Sequence, residues 1–309
     1  MPEGLKIFQP PNQLGRETLP RACGPHRVHS VSAAAPFDRH GPETPVSPVV
    51  LSVPHAGRDY PLPLRAALRI PIAGLLPLED RHADTLALAA RGAETLFIAN
   101  RARAWIDLNR AEHERDPRVD EGAQPLAEGA MSLKLRSGLG LVPRRASGAD
   151  LWRRRFADEE VRQRIECDHR PYHAALTAAL AAARARFGVA VLLDIHSMPP
   201  LAAGGARIVI GDRFGRSAAA RFIARIEGAV HADGMRTAIN TPYAGGHVLD
   251  RHADPAANIH AIQLEIDRTL YLDRRRDQPG PGFASTADSL RRIIDSIADE
   301  ALPLAAAAQ

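Results

Sequence analysis

No apolar run in this 309-residue chain reaches the roughly 18 residues that a membrane-spanning helix needs. No basic segment followed by an apolar core opens the sequence, so no secretory signal is read there and the cytoplasm is the expected compartment. Cysteine is scarce: Cys23 and Cys167 make no CxxC pair, and no disulfide framework is expected of them. Cys167 falls in a helical pattern. A structural role is expected for it, because reactive thiols need an accessible, electropositive setting. Aromatic residues are only 5% of the chain and do not interleave with a basic stripe, so nucleic acid is not an expected partner. The formal charge of +4 is mild. The Arg triplets at 153–155 and 274–276 sit beside acidic residues and read as solvated faces. Neither GxGxxG nor a Walker A sequence marks a strand-to-helix turn, which disfavours nucleotide chemistry.

What is present is an ordinary globular hydrophobic fraction, 45%, sufficient for a sizeable core. Residues 1–45 are rich in Pro, Gly and Arg and predict an irregular N-terminal arm, in part disordered. His26, His29 and His40 in that arm are expected to be bystanders. Residues 46–309 read as a single α/β domain. Strands are predicted at 48–53, 95–99, 104–108, 189–195, 206–210, 236–240 and 259–266. Helices are predicted at 63–69, 79–92, 151–187 with an interruption at Pro171, 217–231 and 284–302. Alternating strands and helices argue for an α/β fold with a mixed, largely parallel sheet. Residues 111–150 form a long polar loop, of a length that is usually functional or disordered.

Two strands end in histidine. Val49–Val53 runs into Pro54 and His55, and Val191–Leu193 runs through Asp194 and Ile195 to His196. Ligands in open α/β sheets bind beyond this end of the strands. Catalytic zinc often takes two His and one carboxylate and leaves a position open. His55 and His196 are the natural pair. For the carboxylate, Asp80 and Asp84 lie i, i+4 on the predicted helix, and Asp84 is favoured because a helix would fix its direction; Asp59 is the alternative. Both helix acids also suit the first-turn dipole. Asp194 either supports His196 from behind or points to the other side of the strand.

Glu265 lies inside the apolar strand Ile262–Ile266, where a carboxylate is costly unless it has a partner or a task. Beside a metal it would be a general base; otherwise it would pair with Arg110 or Arg268. Asn109 and Arg110 follow an apolar stretch, and a guanidinium suits bidentate carboxylate recognition. In the turn Tyr243–His247, Gly246 would bring backbone amides to a ligand and His247 a polar side chain.

The ordered set Ser52–Gly57, Asp80–Asp84, Ile106–Arg110, Arg170–His173, Asp194–Ser197, Gly245–His247 and Gln263–Glu265 resembles the N-formylglutamate amidohydrolase family over residues 47–275. The resemblance implies a distant kinship with zinc carboxypeptidases and aspartoacylases. It also implies a phosphorylase/hydrolase-like three-layer α/β/α sandwich and one zinc ion per chain, or another divalent metal. It carries over His55 and His196 as ligands, Glu265 as catalytic carboxylate, and Asn109 with Arg110 as binders of a substrate carboxylate. The pattern is broken at Arg58, where the zinc relatives place a glutamate three residues after the first histidine. The third ligand must then come from elsewhere, Asp84 or Asp59. Residues 111–150 also depart from the pattern, which leaves the acyl group open.

The expected activity is hydrolysis of N-formyl-L-glutamate to formate and glutamate, at the end of a histidine-degradation route. Its rivals are a carboxypeptidase or amidase for another acidic N-acyl amino acid or peptide, and a catalytically silent protein that binds small carboxylates.

Overall fold

The computed structural model describes residues 35–124 and 132–306. At their centre is a seven-stranded sheet: β1 (Phe37–His40), β2 (Val49–Val53), β3 (Thr95–Ala99), β6 (Ala190–Met198), β7 (Ile208–Gly211), β8 (Thr237–Ile239) and β9 (Ile259–Asp267). The spatial order is β1-β3-β2-β6-β9-β7-β8. Strands β3, β2, β6 and β9 are parallel. At the edges β1 runs antiparallel to β3, and β7 antiparallel to β9 with β8 parallel to it. A separate short hairpin pairs β4 (Arg145–Ala146) with β5 (Ala149–Asp150).

Every residue of β2, β3 and β6 is buried, as expected of strands covered on both faces. Alternate residues serve two cores. Val191, Leu193 and Ile195 pack with α2 (Ala83–Ala90), α6 (Ala220–Ala232) and α8 (Phe283–Ala306). Ala190 and Leu192 pack with α1 (Leu62–Ala67), α4 (Asp158–Arg164), α5 (Arg170–Phe187) and α7 (His247–His252). The result is the expected α/β/α sandwich. The second face also receives Ser52, Asp194, His196, Gln263 and Glu265. Register places Ser52 beside Asp194, Asp194 beside Gln263 and His196 beside Glu265. Five polar side chains thus share one face near the C-terminal ends of three parallel strands. Residues two apart share a face, so Asp194 cannot point away from His196.

Several local expectations fail for identifiable reasons. Within the arm expected over 1–45, residues 37–40 form edge strand β1; residues 1–34, with Cys23, His26 and His29, lie outside the described residues. The helix predicted over 79–92 begins only at Ala83, because His82 adopts a left-handed conformation (φ 57°). Residues 104–108 are not a strand. Their amides are spent locally and on a loop: Trp105 N–H donates to Ala102 O at 2.8 Å and Asp107 N–H to Leu141 O at 2.8 Å. Burial of Trp105, Ile106 and Leu108 gave this segment a strand-like pattern. Between α4 and α5 the chain makes a π turn, Ile165–His169, ending two residues before Pro171. Cys167 within it is disulfide-bonded, which corrects the expectation that no disulfide forms. A one-turn helix, α3 (Leu133–Arg136), lies in the predicted loop and is capped by Ser132. No helix among the described residues is long and apolar enough to cross a membrane.

Candidate active site

The two strand-end histidines meet. The rings of His55 and His196 lie 4.7 Å apart between centroids, and both are buried. The carboxylate between them is Asp80. His196 Nδ1 lies 3.1 Å from Asp80 Oδ2, and His55 Nδ1 3.6 Å from the same oxygen. The reason is local: the chain is still irregular at residue 80, and Asp80 N–H donates to His55 O at 2.9 Å.

Asp84, the favoured third ligand, is corrected by this geometry. It sits on the first turn of α2 and pairs with Arg58 at 2.5 Å. Asp59 pairs with Arg101. Both line a separate recess together with Arg58. The i, i+4 argument failed because residue 80 precedes the helix. The signal that would have found Asp80 was its place in the Asp80–Asp84 motif.

Each histidine is braced from behind by a buried carboxylate. His55 Nε2 donates to Asp107 Oδ1 at 2.7 Å, and His196 Nε2 to Asp194 Oδ2 at 2.8 Å. Asp194 accepts from Ser52 Oγ at 2.6 Å, and Ser52 contacts the Tyr172 hydroxyl at 2.9 Å. Asp107 also accepts from Arg103 Nε at 2.8 Å and from Asn109 N–H at 2.9 Å. With each Nε2 engaged by a carboxylate, each Nδ1 is the ring atom turned toward Asp80: His196 Nδ1–H donates to it in the metal-free chain, and a metal would replace that proton. Burial alone would raise the Asp80 carboxyl, but its hydrogen bond to His196 and the nearness of His55 hold it well below the usual range. Burial would lower His196, but Asp194 and Asp80 hold it well above the usual range.

The set fits a divalent cation. His55 Nδ1 is buried and has no hydrogen-bond partner, a deficit of about 1–3 kcal/mol for an unsatisfied group. One donor atom each from His55, Asp80 and His196 lies within 4.8 Å of the others. A carboxylate behind each histidine is the usual support for a ligating imidazole. The other oxygen of Asp80 is already fixed, by Ser197 Oγ at 3.0 Å and Arg268 Nη2 at 3.1 Å.

These residues open into a cavity of about 430 Å³. Glu265 lines it, buried, and accepts from Gln263 Nε2 at 2.9 Å. It makes no salt bridge with Arg110 or Arg268 among the described residues: Arg268 is engaged by Asp80 and Ser197, and Arg110 by the carbonyls of Leu139 (2.8 Å) and Asn109 (2.5 Å). Burial pushes the Glu265 carboxyl up to about 7; His196, Arg103 and Lys134 oppose the rise, and the Asp80 charge adds to it.

Asn109 lines the cavity and clamps two elements. Its Oδ1 accepts from Val248 N–H at 2.9 Å and its Nδ2 donates to Gln263 at 3.3 Å. Gly246 makes this possible, since a Cβ there would stand 2.5 Å from Asn109 Oδ1. Arg110 and Gly246 also line the cavity, but His247 does not. It is the first residue of α7 and turns toward His169 and His173, with ring centroids 5.7 and 5.2 Å away. The expected ligand-binding role for His247 in this cavity is therefore not supported by its position. Sequence reasoning missed Arg103, Lys134 and Arg145, which bring further positive charge to the cavity wall. They come from segments without periodicity, so no pattern marked them. Cys167 does not line this cavity.

Comparison with known proteins finds relatives in one family. A family model described as N-formylglutamate amidohydrolase matches residues 47–272. N-formylglutamate deformylase of Pseudomonas putida is 31% identical over 236 residues, covering 73% of this chain and 82% of that protein. The Pseudomonas aeruginosa protein of the same name is 29% identical over 267 residues, covering 82% and 92%. The crystal structure of N-formylglutamate amidohydrolase from Ralstonia eutropha JMP134 superposes with a TM-score of 0.78 at 32% identity, over 86% of this chain and 98% of that one. A gene product from Agrobacterium tumefaciens shares the fold, with a TM-score of 0.61 at 17% identity over 86% of this chain and 94% of that one.

Proposed function

The chain belongs to the N-formylglutamate amidohydrolase family, and from that premise we propose that it hydrolyses N-formyl-L-glutamate to formate and L-glutamate at a zinc centre held by His55, Asp80 and His196. The observation that carries this reading is the convergence of three metal-competent donors beside the buried Glu265 in a cavity walled by cations. His55, Asp80 and His196 would hold the zinc, which would supply Lewis acidity toward the amide carbonyl and water.

The chain's own residues do the rest. Asp107 and Asp194 fix the two imidazoles with Nε2–H outward, so that each Nδ1 is kept as a donor. Glu265, with a pKa near neutrality, takes a proton from the attacking water. It returns one to the amine nitrogen as the C–N bond breaks. Gln263 orients that carboxylate. Glutamate's carboxylates need cationic partners. Arg110 retains donor capacity on Nη2, and the Lys134 ammonium, 5.8 Å from the centroid of the Tyr243 ring, makes no hydrogen bond or ion pair with the described residues while Lys134 lines the same wall. Asn109 holds the floor between α7 and β9 and positions Gln263.

The test is formate release by the zinc-loaded protein from N-formyl-L-glutamate, assayed beside N-acetyl- and N-succinyl-L-glutamate. Preferential turnover of the formyl substrate is expected. Preference for an acetyl or succinyl group would replace the acyl assignment. Binding without turnover of any of the three would make the chain a silent carboxylate binder.

A further inference from the structure

A second histidine cluster lies behind the segment that carries Asn109 and Arg110. His169 ends the π turn and His173 follows one turn later on α5, so the two share a helix face. His247 opens α7 against them. The ring centroids of His169 and His173 are 4.4 Å apart. One ring nitrogen from each of the three lies within 4.8 Å of the others.

The hydrogen bonds fix where the lone pairs point. His169 Nε2 donates to Arg110 O at 2.8 Å, and His173 Nε2 to Leu108 O at 2.9 Å. Both Nδ1 atoms are therefore unprotonated and face inward. His169 is fully buried, and its Nδ1 has no hydrogen-bond partner. Across from it, His247 Nε2 is also buried and unpartnered. His173 Nδ1 meets His252 Nε2 at 2.9 Å, the one contact that must be exchanged for an ion. The orphaned nitrogens are costly as they stand, and neutral imidazoles are what a borderline metal requires.

We propose that His169, His173 and His247 hold a second transition-metal ion, separate from the centre at His55, Asp80 and His196. Three imidazoles and one open position form a recognised zinc geometry. A tetrahedral ion with bonds of about 2 Å holds its nitrogens about 3.3 Å apart, so side-chain closure on the rotamer scale suffices. His247 also lines a recess of about 790 Å³, whose wall includes Glu112, His113 and Asp250, through which an ion would reach the three rings. Glu112 lies 3.9 Å from His169 Nδ1 and tempers the added charge, while Arg170 holds it away from direct ligation through bonds of 3.0 and 2.9 Å. No carboxylate joins the donor set, so this site fills after the first as metal is added. Its consequence is positional: His169 and His173 grip the carbonyls on either side of Asn109, so the ion braces the backbone that delivers Asn109 and Arg110 to the catalytic cavity.

The test is Co²⁺ stoichiometry by elemental analysis and visible absorption on the full chain, in wild type, Asp80→Ala, His247→Ala and the double variant. Two ions, one, one and none are expected, with the His247-dependent ion giving the absorption of a low-coordinate, nitrogen-rich site. His247→Ala is chosen because this partly exposed residue starts a helix, so the fold should survive; circular dichroism checks each variant, and His169→Gln serves as the second probe. One ion in wild type that disappears completely in Asp80→Ala would overturn the proposal. So would a second ion that persists in both His247→Ala and His169→Gln. If wild type binds a single ion that survives Asp80→Ala and is lost in His247→Ala, this site stands and the zinc centre of the proposed function falls.

Discussion

Two histidine groups lie on opposite sides of residues 107–110, and they differ in what stands behind the rings. His55 and His196 are backed by buried carboxylates, Asp107 and Asp194, and face a third, Asp80. His169 and His173 are backed by backbone carbonyls, with no carboxylate within hydrogen-bond reach of their inward nitrogens. Both arrangements fix the ring orientation and keep Nε2 protonated. Only the first supplies compensating charge, and so only the first is built to hold a dication tightly. The effect on titration is opposite in sign. Asp194 and Asp80 hold His196 protonated well above its usual range against the cost of burial, whereas burial pushes His169 and His173 down and takes His247 to about 4 and His252 to about 3.

The largest expected effect breaks the first group at its shared acid. Asp80→Asn should cost more than about 100-fold in zinc affinity, beyond the 10–100-fold typical of supporting groups. Asp84→Asn should bind zinc as wild type does. A calorimetric titration of both decides between them, and equal losses would return Asp84 to the ligand set. Glu265→Gln should keep the metal and lose about 10²–10⁴ in kcat. The wild-type kcat/KM should fall as pH drops through the Glu265 ionisation, raised by burial to about 7 in the metal-free chain and drawn lower by a cation on Asp80. That acid limb should vanish from the residual rate of the variant.

Asp194→Asn sharpens the comparison. Removing the charge but keeping the shape should cost about 10–100-fold in zinc affinity. No such price should attach to a carbonyl-backed ring.

The smallest effect concerns acid stability of the metal-free chain. The folded pKa values of His169, His173, His247 and His252 lie below the unfolded value of about 6.5, so the unfolded chain binds more protons below that pH. Their contribution is present above about 6.5 and is lost progressively as pH falls toward about 4 and then 3. Tm by calorimetry should drop between pH 7 and 5, and less steeply in His252→Gln. An unchanged slope would mean that these rings are not buried neutral.

The difference between the two groups also marks what could be read in the sequence. His55, His196 and Glu265 were legible because each is a polar residue interrupting or ending an apolar strand, and strand periodicity survives in a single sequence. The sheet was legible for the same reason, apart from β1, which is a short edge strand in a Pro-rich stretch, and from residues 104–108, whose buried apolar run mimics a strand. Asp80 was assigned to the wrong side of a helix start, because a left-handed His82 delays α2 by several residues and nothing in the periodicity records it. His247 was placed in the catalytic cavity because a Gly-Gly-His turn does not reveal which way the following helix aims its first side chain. The carbonyl-backed cluster left no trace as a unit. Its members come from a π turn, a helix and a second short helix, and they meet only through packing on the α5 face of the sheet. Arg103, Lys134 and Arg145 belong to irregular segments whose path is set by contacts such as Asp107 N–H to Leu141 O rather than by a local period.

The central claim is metal-dependent deformylation at His55, Asp80 and His196. The most direct measurement follows formate release from N-formyl-L-glutamate as zinc is stripped by a chelator and then restored, with bound metal counted in the same samples. The account predicts that turnover falls with the Asp80-dependent ion and returns with it. Full turnover in a chain stripped of that ion would contradict it.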